Sequence, residues 1–274
     1  MTMKNRFSPD IYRNYNLDLR DLTDHELLEH FQKYPNERRI YGSTSTTVET
    51  LSMRWLRGNG IEVGAGASPI PLFGDARAQQ SDCDGTLAFG GNRIDVQCSV
   101  DDAEFPRKLP ARYDFAVASH VLEHVDSFLR AVENLLLITR AGGIVYVVLP
   151  DINFLLDKNW LPNFDFEHHI AEYHKPLMHA DMHDRLYIEG SGEGILHKNE
   201  VAELSKDYKA AVLKGCIPGD QRFLHHKHNY DFNDWLGIFQ RTQNFLRGKF
   251  SFLDVRYGHE RSDCHFVLEV LAIE

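Results

Sequence analysis

Tyr113-Asp-Phe-Ala-Val-Ala-Ser-His-Val-Leu-Glu-His-Val125, followed after one helix length by Arg140-Ala-Gly-Gly-Ile-Val-Tyr-Val-Val-Leu-Pro-Asp151, is the stretch that decides the fold. Phe115 to Ser119 and Ile144 to Leu149 are short, continuous apolar runs. Runs of that length read as strands buried on both faces. Between them Phe128, Leu129, Val132, Leu135 and Leu136 recur at helical spacing, with Asp126 or Ser127 as the cap. Arg140 to Gly143 is expected to end that helix. Strand, helix and second buried strand make a right-handed parallel crossover, so the fold class is α/β.

The same rhythm extends in both directions. Thr23-Asp-His-Glu26 is a capping box ahead of Leu27 and Leu28, and a second helix is expected from Thr46 to Arg57. Gly58 and Gly60 then lead into a very short strand, Ile61-Glu-Val63. Downstream, Asn199 to Lys214 reads as a helix stopped by Gly215, and Asn233 to Arg247 as another. Strands near Phe250 to Tyr257 and His265 to Ile273 are close enough for an antiparallel hairpin. The chain thus divides into four segments: a helical lead-in at 1–57, a core at 58–151, a helical insertion or cap at 152–228, and a return to the core at 229–274.

Charge and composition narrow the function. Lys and Arg number 30 against 40 Asp and Glu, a formal charge of −10. That sign argues against extended nucleic-acid contact. The apolar runs are far too short to span a bilayer. The opening residues lack the apolar stretch of a secretory signal, and Cys83, Cys98, Cys216 and Cys264 form no CxxC pair. A soluble cytoplasmic chain with reduced thiols is expected. Histidine is in surplus, with 15 residues, and it is both the commonest metal ligand and the side chain that titrates near neutrality.

Gly60-Ile-Glu-Val-Gly-Ala-Gly66 carries the first strand into a tight turn. Such a turn lets a ligand approach the backbone at the carboxyl end of a strand. A dinucleotide fingerprint would need a third glycine where Pro69 stands, so an NAD or FAD site is disfavoured. Asp82 and Asp84 lie where an acid after the second strand meets ribose hydroxyls, each able to accept two hydrogen bonds. Asp101-Asp-Ala-Glu-Phe-Pro106 comes after the third strand, and Ser119-His-Val-Leu-Glu-His124 after the fourth.

This series resembles the class I S-adenosylmethionine-dependent methyltransferases over residues 58–151. The resemblance implies a Rossmann-like seven-stranded sheet with an order like 3-2-1-4-5-7-6, and S-adenosyl-L-methionine as cofactor. It implies that Glu62, Gly64, Ala65 and Gly66 hold the methionine end and Asp82 or Asp84 the ribose. It places Asp101 or Asp102 by the adenine, and Ser119 and His120 at the methyl-transfer mouth. The SHVLEH and LPD segments and a late His-x-His are similar to methyltransferases encoded with bacterial polysaccharide and glycosyl-transfer functions.

His120, Glu123 and His124 fall at i, i+3 and i+4, and His225-His-Lys-His228 lies far downstream. This pairing resembles the small-RNA 3′-end 2′-O-methyltransferases, which implies a divalent metal on Glu123, His124 and His228. A cation there would lower the pKa of a bound hydroxyl. The alternative is a packing and positioning turn without metal. His168, His169, His174, His179 and His183 lie in the insertion. The expected base for an acceptor hydroxyl is one of His120, His124, His168, His169 and His174, with His120, His124 and His169 the leading candidates. Trp160, Phe164, Phe166 and Tyr173 either stack on a sugar or form the insertion's own core. The expected function is O-methylation of a small molecule or saccharide. The alternatives are a metal-dependent 2′-O-methyltransferase acting on RNA or a nucleotide, and a non-catalytic S-adenosylmethionine-binding module.

Overall fold

The computed structural model of the chain describes residues 19, 22–33, 46–64, 69–83, 94–109, 112–154, 164–174, 226–258 and 263–272. The two apolar runs are strands β4 (Tyr113–Ser119) and β5 (Thr139–Pro150), paired in parallel. Side chains alternate between faces with period two. Ala116, Ala118, Val145, Val147 and Leu149 join one buried cluster, while Phe115, Val117, Tyr146 and Val148 join a second on the opposite face. Coverage on both faces is the physical reason for the unbroken apolar runs.

Helix α3 (Phe128–Ile138) connects these strands and buries Phe128, Leu129, Val132, Leu135 and Leu136, as their spacing predicts. Its N-cap is Ser127. Its end departs from expectation, because Arg140 to Gly143 belongs to β5. Tyr113 pairs with Thr139 and Phe115 with Ile144, so residues 140–143 bulge opposite the single residue Asp114. Gly142 has φ +71°, and a Cβ on Gly143 would sit 2.8 Å from the Asp114 carbonyl oxygen. The glycines therefore make the bulge possible and do not stop the helix.

The remaining strands are β1 (Asn59–Val63), β2 (Arg77–Asp82), β3 (Val96–Gln97), β6 (Phe250–Gly258) and β7 (Asp263–Val270). The sheet order is β3-β2-β1-β4-β5-β7-β6, the expected one. Pairs among β1 to β5 are parallel, whereas β7 runs antiparallel to β5 and β6. The order reverses between β1 and β4, which opens a crevice at the carboxyl ends of those strands.

Helix α1 (Asp24–Lys33) starts with the predicted box, Thr23 N–H donating to Glu26 Oε2 at 2.8 Å. Helix α2 (Thr47–Trp55) has a second box from Thr46 and Glu49 and ends two residues before Arg57. It covers the second sheet face with Leu51, beside Leu56, Ile70 and Ala76. The proline-bearing segment after the glycine turn is not helical over residues 69–76. Instead Ser52 Oγ of α2 donates to the Pro71 carbonyl at 2.5 Å. The lead-in thus supplies packing on the face where two prolines prevent a local helix start. On the first face lie α4 (Phe166–His174) and α5 (Phe232–Phe245), contributing Phe166, Trp235 and Phe239. The helix expected over Asn199–Lys214, its stop at Gly215, and Trp160, His179 and His183 lie outside the described residues. Among the described residues no helix is long and apolar enough to cross a membrane.

Candidate active site

β1 delivers the glycine turn to the crevice. Gly64 N–H donates to the Ser81 carbonyl at 2.7 Å, extending the pairing with β2. Gly64 has φ +62°, and a Cβ there would lie 2.4 Å from Val121 Cγ2. Both conformation and close approach require glycine. Glu62 is almost wholly buried, and its Oε1 accepts the Ile70 N–H at 2.8 Å. The carboxyl therefore ties the two ends of the turn together across residues 65–68. Burial outweighs that hydrogen bond and pushes Glu62 up to about 7. Ala65, Gly66 and Asp84 lie outside the described residues. Asp82 closes β2 beside β1 and is half-buried.

The two acids after β3 have separate local duties. Asp101 Oδ2 accepts N–H groups of Asp126 at 2.8 Å and Ser127 at 3.2 Å, which satisfies the entry to α3. Ser99 Oγ also donates to Asp101. Burial raises its carboxyl above the usual range. Asp102 is exposed, and its Oδ1 accepts the Glu104 N–H at 2.9 Å.

β4 ends at Ser119 on the mouth of the crevice, and His120 turns the chain with φ +55°. Left-handed backbone at a non-glycine residue is sterically costly and clusters at functional sites. The His120 side chain is 44% exposed, with Nδ1 3.5 Å from Glu123 Oε1 and Nε2 3.4 Å from Asp263 Oδ1. Burial opposes its charged form, but the Asp263 and Glu123 carboxylates beside it prevail and push it up to about 10. Asp263 starts β7, opposite Pro150 of β5. Nothing local in the sequence singles it out, since only antiparallel pairing with β5 brings it to the mouth.

Glu123 has no exposed surface, and neither carboxylate oxygen accepts a hydrogen bond. His124 Nε2 lies 3.8 Å from its Oε1, and the His226 ring sits 4.7 Å from the ring of His124, centroid to centroid. Burial favours the neutral acid, yet His120, His124 and His226 together hold Glu123 below the usual carboxylate range. Ligand atoms of Glu123, His124 and His226 lie within 4.8 Å of one another.

Residues 54–185 match the family model described as a methyltransferase domain. With this match the crevice, the glycine turn and the sheet order converge. The chain carries a class I S-adenosylmethionine-dependent methyltransferase domain. A search of curated proteins finds no match. Among solved structures, a provisionally assigned S-adenosylmethionine-dependent methyltransferase of Methanococcus maripaludis is 13% identical, with TM-score 0.42, covering 83% of this chain and 84% of that one. PKMT2 of Rickettsia typhi, solved with S-adenosylhomocysteine, is 12% identical, with TM-score 0.41, covering 83% and 50%. At these scores the likeness adds nothing to what the family match and the sheet order carry.

The residues expected to hold a metal fall, among the described residues of the methyltransferase, into two separate clusters. His228 does not join Glu123 and His124; His226 does. The backbone N–H groups of Lys227 and His228 both donate to the Glu123 carbonyl, but the His228 side chain turns to Glu172. Three histidines within four residues, 225–228, left that allocation open in the sequence, and His225 lies outside the described residues. His169 has no exposed surface; its Nδ1 meets Glu172 Oε2 at 3.2 Å and its Nε2 meets the Tyr230 hydroxyl at 2.9 Å. That enclosure removes it from the mouth. His168 lies against the same Glu172, and His174 is exposed at the end of α4. Phe164 stacks on His168 at 3.8 Å, Phe166 packs into the core, and the Tyr173 hydroxyl donates to Glu133. These aromatics pack into or against the core cluster on the first sheet face.

Glycine turn, carboxyl-edge crevice and Asp82 are a donor set suited to S-adenosylmethionine. The bound cofactor supplies an electrophilic methyl on a sulfonium sulfur. The chain supplies the crevice, and at its mouth an imidazole flanked by two carboxylates.

Proposed function

We propose that the methyltransferase acts on a hydroxyl group of a small molecule or saccharide. The observation that supports this most is His120, half exposed at the end of β4 and held between Glu123 and Asp263. A neutral amine needs no base before it attacks a methyl group, whereas an alcohol must lose its proton. An imidazole made more basic by two carboxylates suits the alcohol. With S-adenosylmethionine bound, the methyl group would pass to the hydroxyl oxygen and leave a neutral thioether, and His120 in its neutral form would take the hydroxyl proton. In-line alignment of these atoms is the enzyme's main contribution. The reading includes a polysaccharide-related acceptor and a cytoplasmic setting. Cys83, Cys98 and Cys264 are thiols, which suits a reducing compartment.

Labelled S-adenosylmethionine, offered with a panel of saccharides, simple alcohols and amines, tests this. O-methylated products are expected. Products methylated only at nitrogen or carbon would overturn the reading, and tight S-adenosylhomocysteine binding without any turnover would leave the binding-module reading.

A second reading, metal-dependent 2′-O-methylation of a nucleotide or RNA end, is favoured by Glu123. A fully buried carboxylate with no hydrogen bond on either oxygen suits a cation. Glu123, His124 and His226 would hold it, with His120 beside them, and the ion would acidify a bound hydroxyl. Full activity after exhaustive EDTA treatment would exclude this second reading.

A further inference from the structure

Away from the mouth, α4 carries His168, His169 and Glu172 on successive turns, and the segment entering α5 carries His228 and Tyr230. Glu172, His169 and His228 have no exposed surface, and the His168 side chain is 8% exposed. One carboxylate oxygen, Glu172 Oε1, receives His168 Nε2 at 2.8 Å and His228 Nε2 at 2.9 Å. The other, Oε2, receives His169 Nδ1 at 3.2 Å. His169 Nε2 is in turn fixed by the Tyr230 hydroxyl, which donates to the Phe164 carbonyl at 2.8 Å.

The arrangement has an inner and an outer part. Two imidazole nitrogens and one carboxylate oxygen converge from two chain segments, all within 4.8 Å of one another. His168 and Glu172 reach the point because i and i+4 share a helix face. Behind them His169 orients the carboxylate, and Tyr230 orients His169. Outer hydrogen bonds of this kind fix the ligands of a metal site. The surroundings include Phe128 and Phe164, whose rings face His228 at 6.5 Å. A buried carboxylate in an aromatic shell carries a charge that is costly in an apolar interior unless a cation stands beside it. A divalent cation compensates it.

We propose that His168 Nε2, Glu172 Oε1 and His228 Nε2 bind a zinc-class divalent cation that clamps α4 to the segment entering α5. Two imidazoles and a carboxylate are the donor set of borderline divalent metals. On binding, the Nε2 proton that each imidazole shares with Glu172 is displaced to Nδ1 or to solvent and the Nε2 lone pair takes the ion, so nothing is oxidised or reduced. The enclosure makes the ion structural, unlike one at the half-exposed mouth. The site stands independently of the acceptor's identity and of any ion on Glu123.

The test uses the full-length chain, freed of metal with a chelator and titrated with zinc chloride. The readouts are zinc content, zinc affinity and thermal midpoint, none of which depends on methyl transfer. Zinc is expected to raise the midpoint, and His168→Gln is expected to weaken one zinc equivalent by about 100-fold or more. His226→Gln, in the other cluster, is expected to leave that equivalent unchanged. Retained S-adenosylhomocysteine binding shows that His168→Gln is folded. Should it not fold, His169→Asn, which touches only the outer hydrogen bond, is expected to weaken zinc by roughly 10–100-fold. No zinc uptake, an unchanged midpoint, wild-type zinc affinity in the folded variant, or anomalous scattering from zinc only at Glu123 would each overturn the proposal.

Discussion

Glu123 and Glu172 are both fully buried carboxylates surrounded by histidines, yet they sit in different kinds of site. Glu172 is enclosed, and both of its oxygens are held at 2.8–3.2 Å by imidazoles from α4 and from His228. Glu123 has its nearest imidazoles at 3.5 and 3.8 Å, and the cluster opens to solvent through His120. The same residue types therefore serve two ends. A closed cluster, with both carboxylate oxygens held by imidazoles, ties two chain segments together. An open, under-satisfied one keeps capacity for a ligand or a reaction. The difference lies in access, because the Glu123 turn is the carboxyl end of a strand, whereas Glu172 faces inward from a helix.

The largest effect should come from opening the closed cluster. Glu172→Leu leaves three imidazoles without their common acceptor, and denaturant unfolding should show a loss of about 3–5 kcal/mol. Glu123→Gln, by contrast, removes a carboxylate whose nearest imidazoles stand at 3.5 and 3.8 Å, and its loss should be smaller, about 1–2 kcal/mol. Equal losses in the two variants would erase the distinction between the clusters.

Next in size is a change in rate. His120→Ala should lower kcat by about 100-fold, the scale of one general base, while calorimetry shows S-adenosylhomocysteine affinity little changed. His169→Ala in the closed cluster should act mainly on stability. A variant at position 169 that lost turnover with its stability intact would return His169 to the reaction.

The smallest effect is a displacement of the pH profile. His120 is charged at neutrality because its value is pushed up to about 10, so the neutral base grows as pH rises toward that value. Turnover should climb through the alkaline range. Asp263→Asn removes one of the two carboxylates that favour the cation, so the rising limb should move to lower pH. For stability the sign is the usual one for a raised histidine. Its contribution is complete below the ordinary value of 6.5 and disappears as pH rises through about 10. Unfolding curves of parent and Asp263→Asn should therefore converge at the alkaline end, whereas a constant gap would remove His120 from the linkage.

Much of the fold was legible in local pattern. The runs at Phe115–Ser119 and Ile144–Leu149 announce strands because both faces of that sheet are covered, and Thr23 and Glu26 announce a helix start by direct hydrogen bonds. Local pattern misled at Arg140–Gly143. Glycines that suit a helix end equally suit a bulge, and only pairing with β4 selects the bulge. Site residues were less legible. Asp101 has the chemistry to face a ligand, but the entry to α3 uses its carboxylate.

What the sequence determined by itself was the α/β class, the strand order of a methyltransferase sheet, the glycine turn and the presence of two histidine-rich stretches. The class, the turn and the histidine stretches rest on periodicity and spacing, which are properties of neighbours along the chain, and the strand order rests on the resemblance to the methyltransferases. Tertiary structure alone decided that Asp263 stands against His120, that His226 joins Glu123, and that His228 joins Glu172. The physical reason is that hydrogen bonds and charges act over a few ångströms in space. The residues in those contacts lie on separate segments that meet only when the sheet has formed.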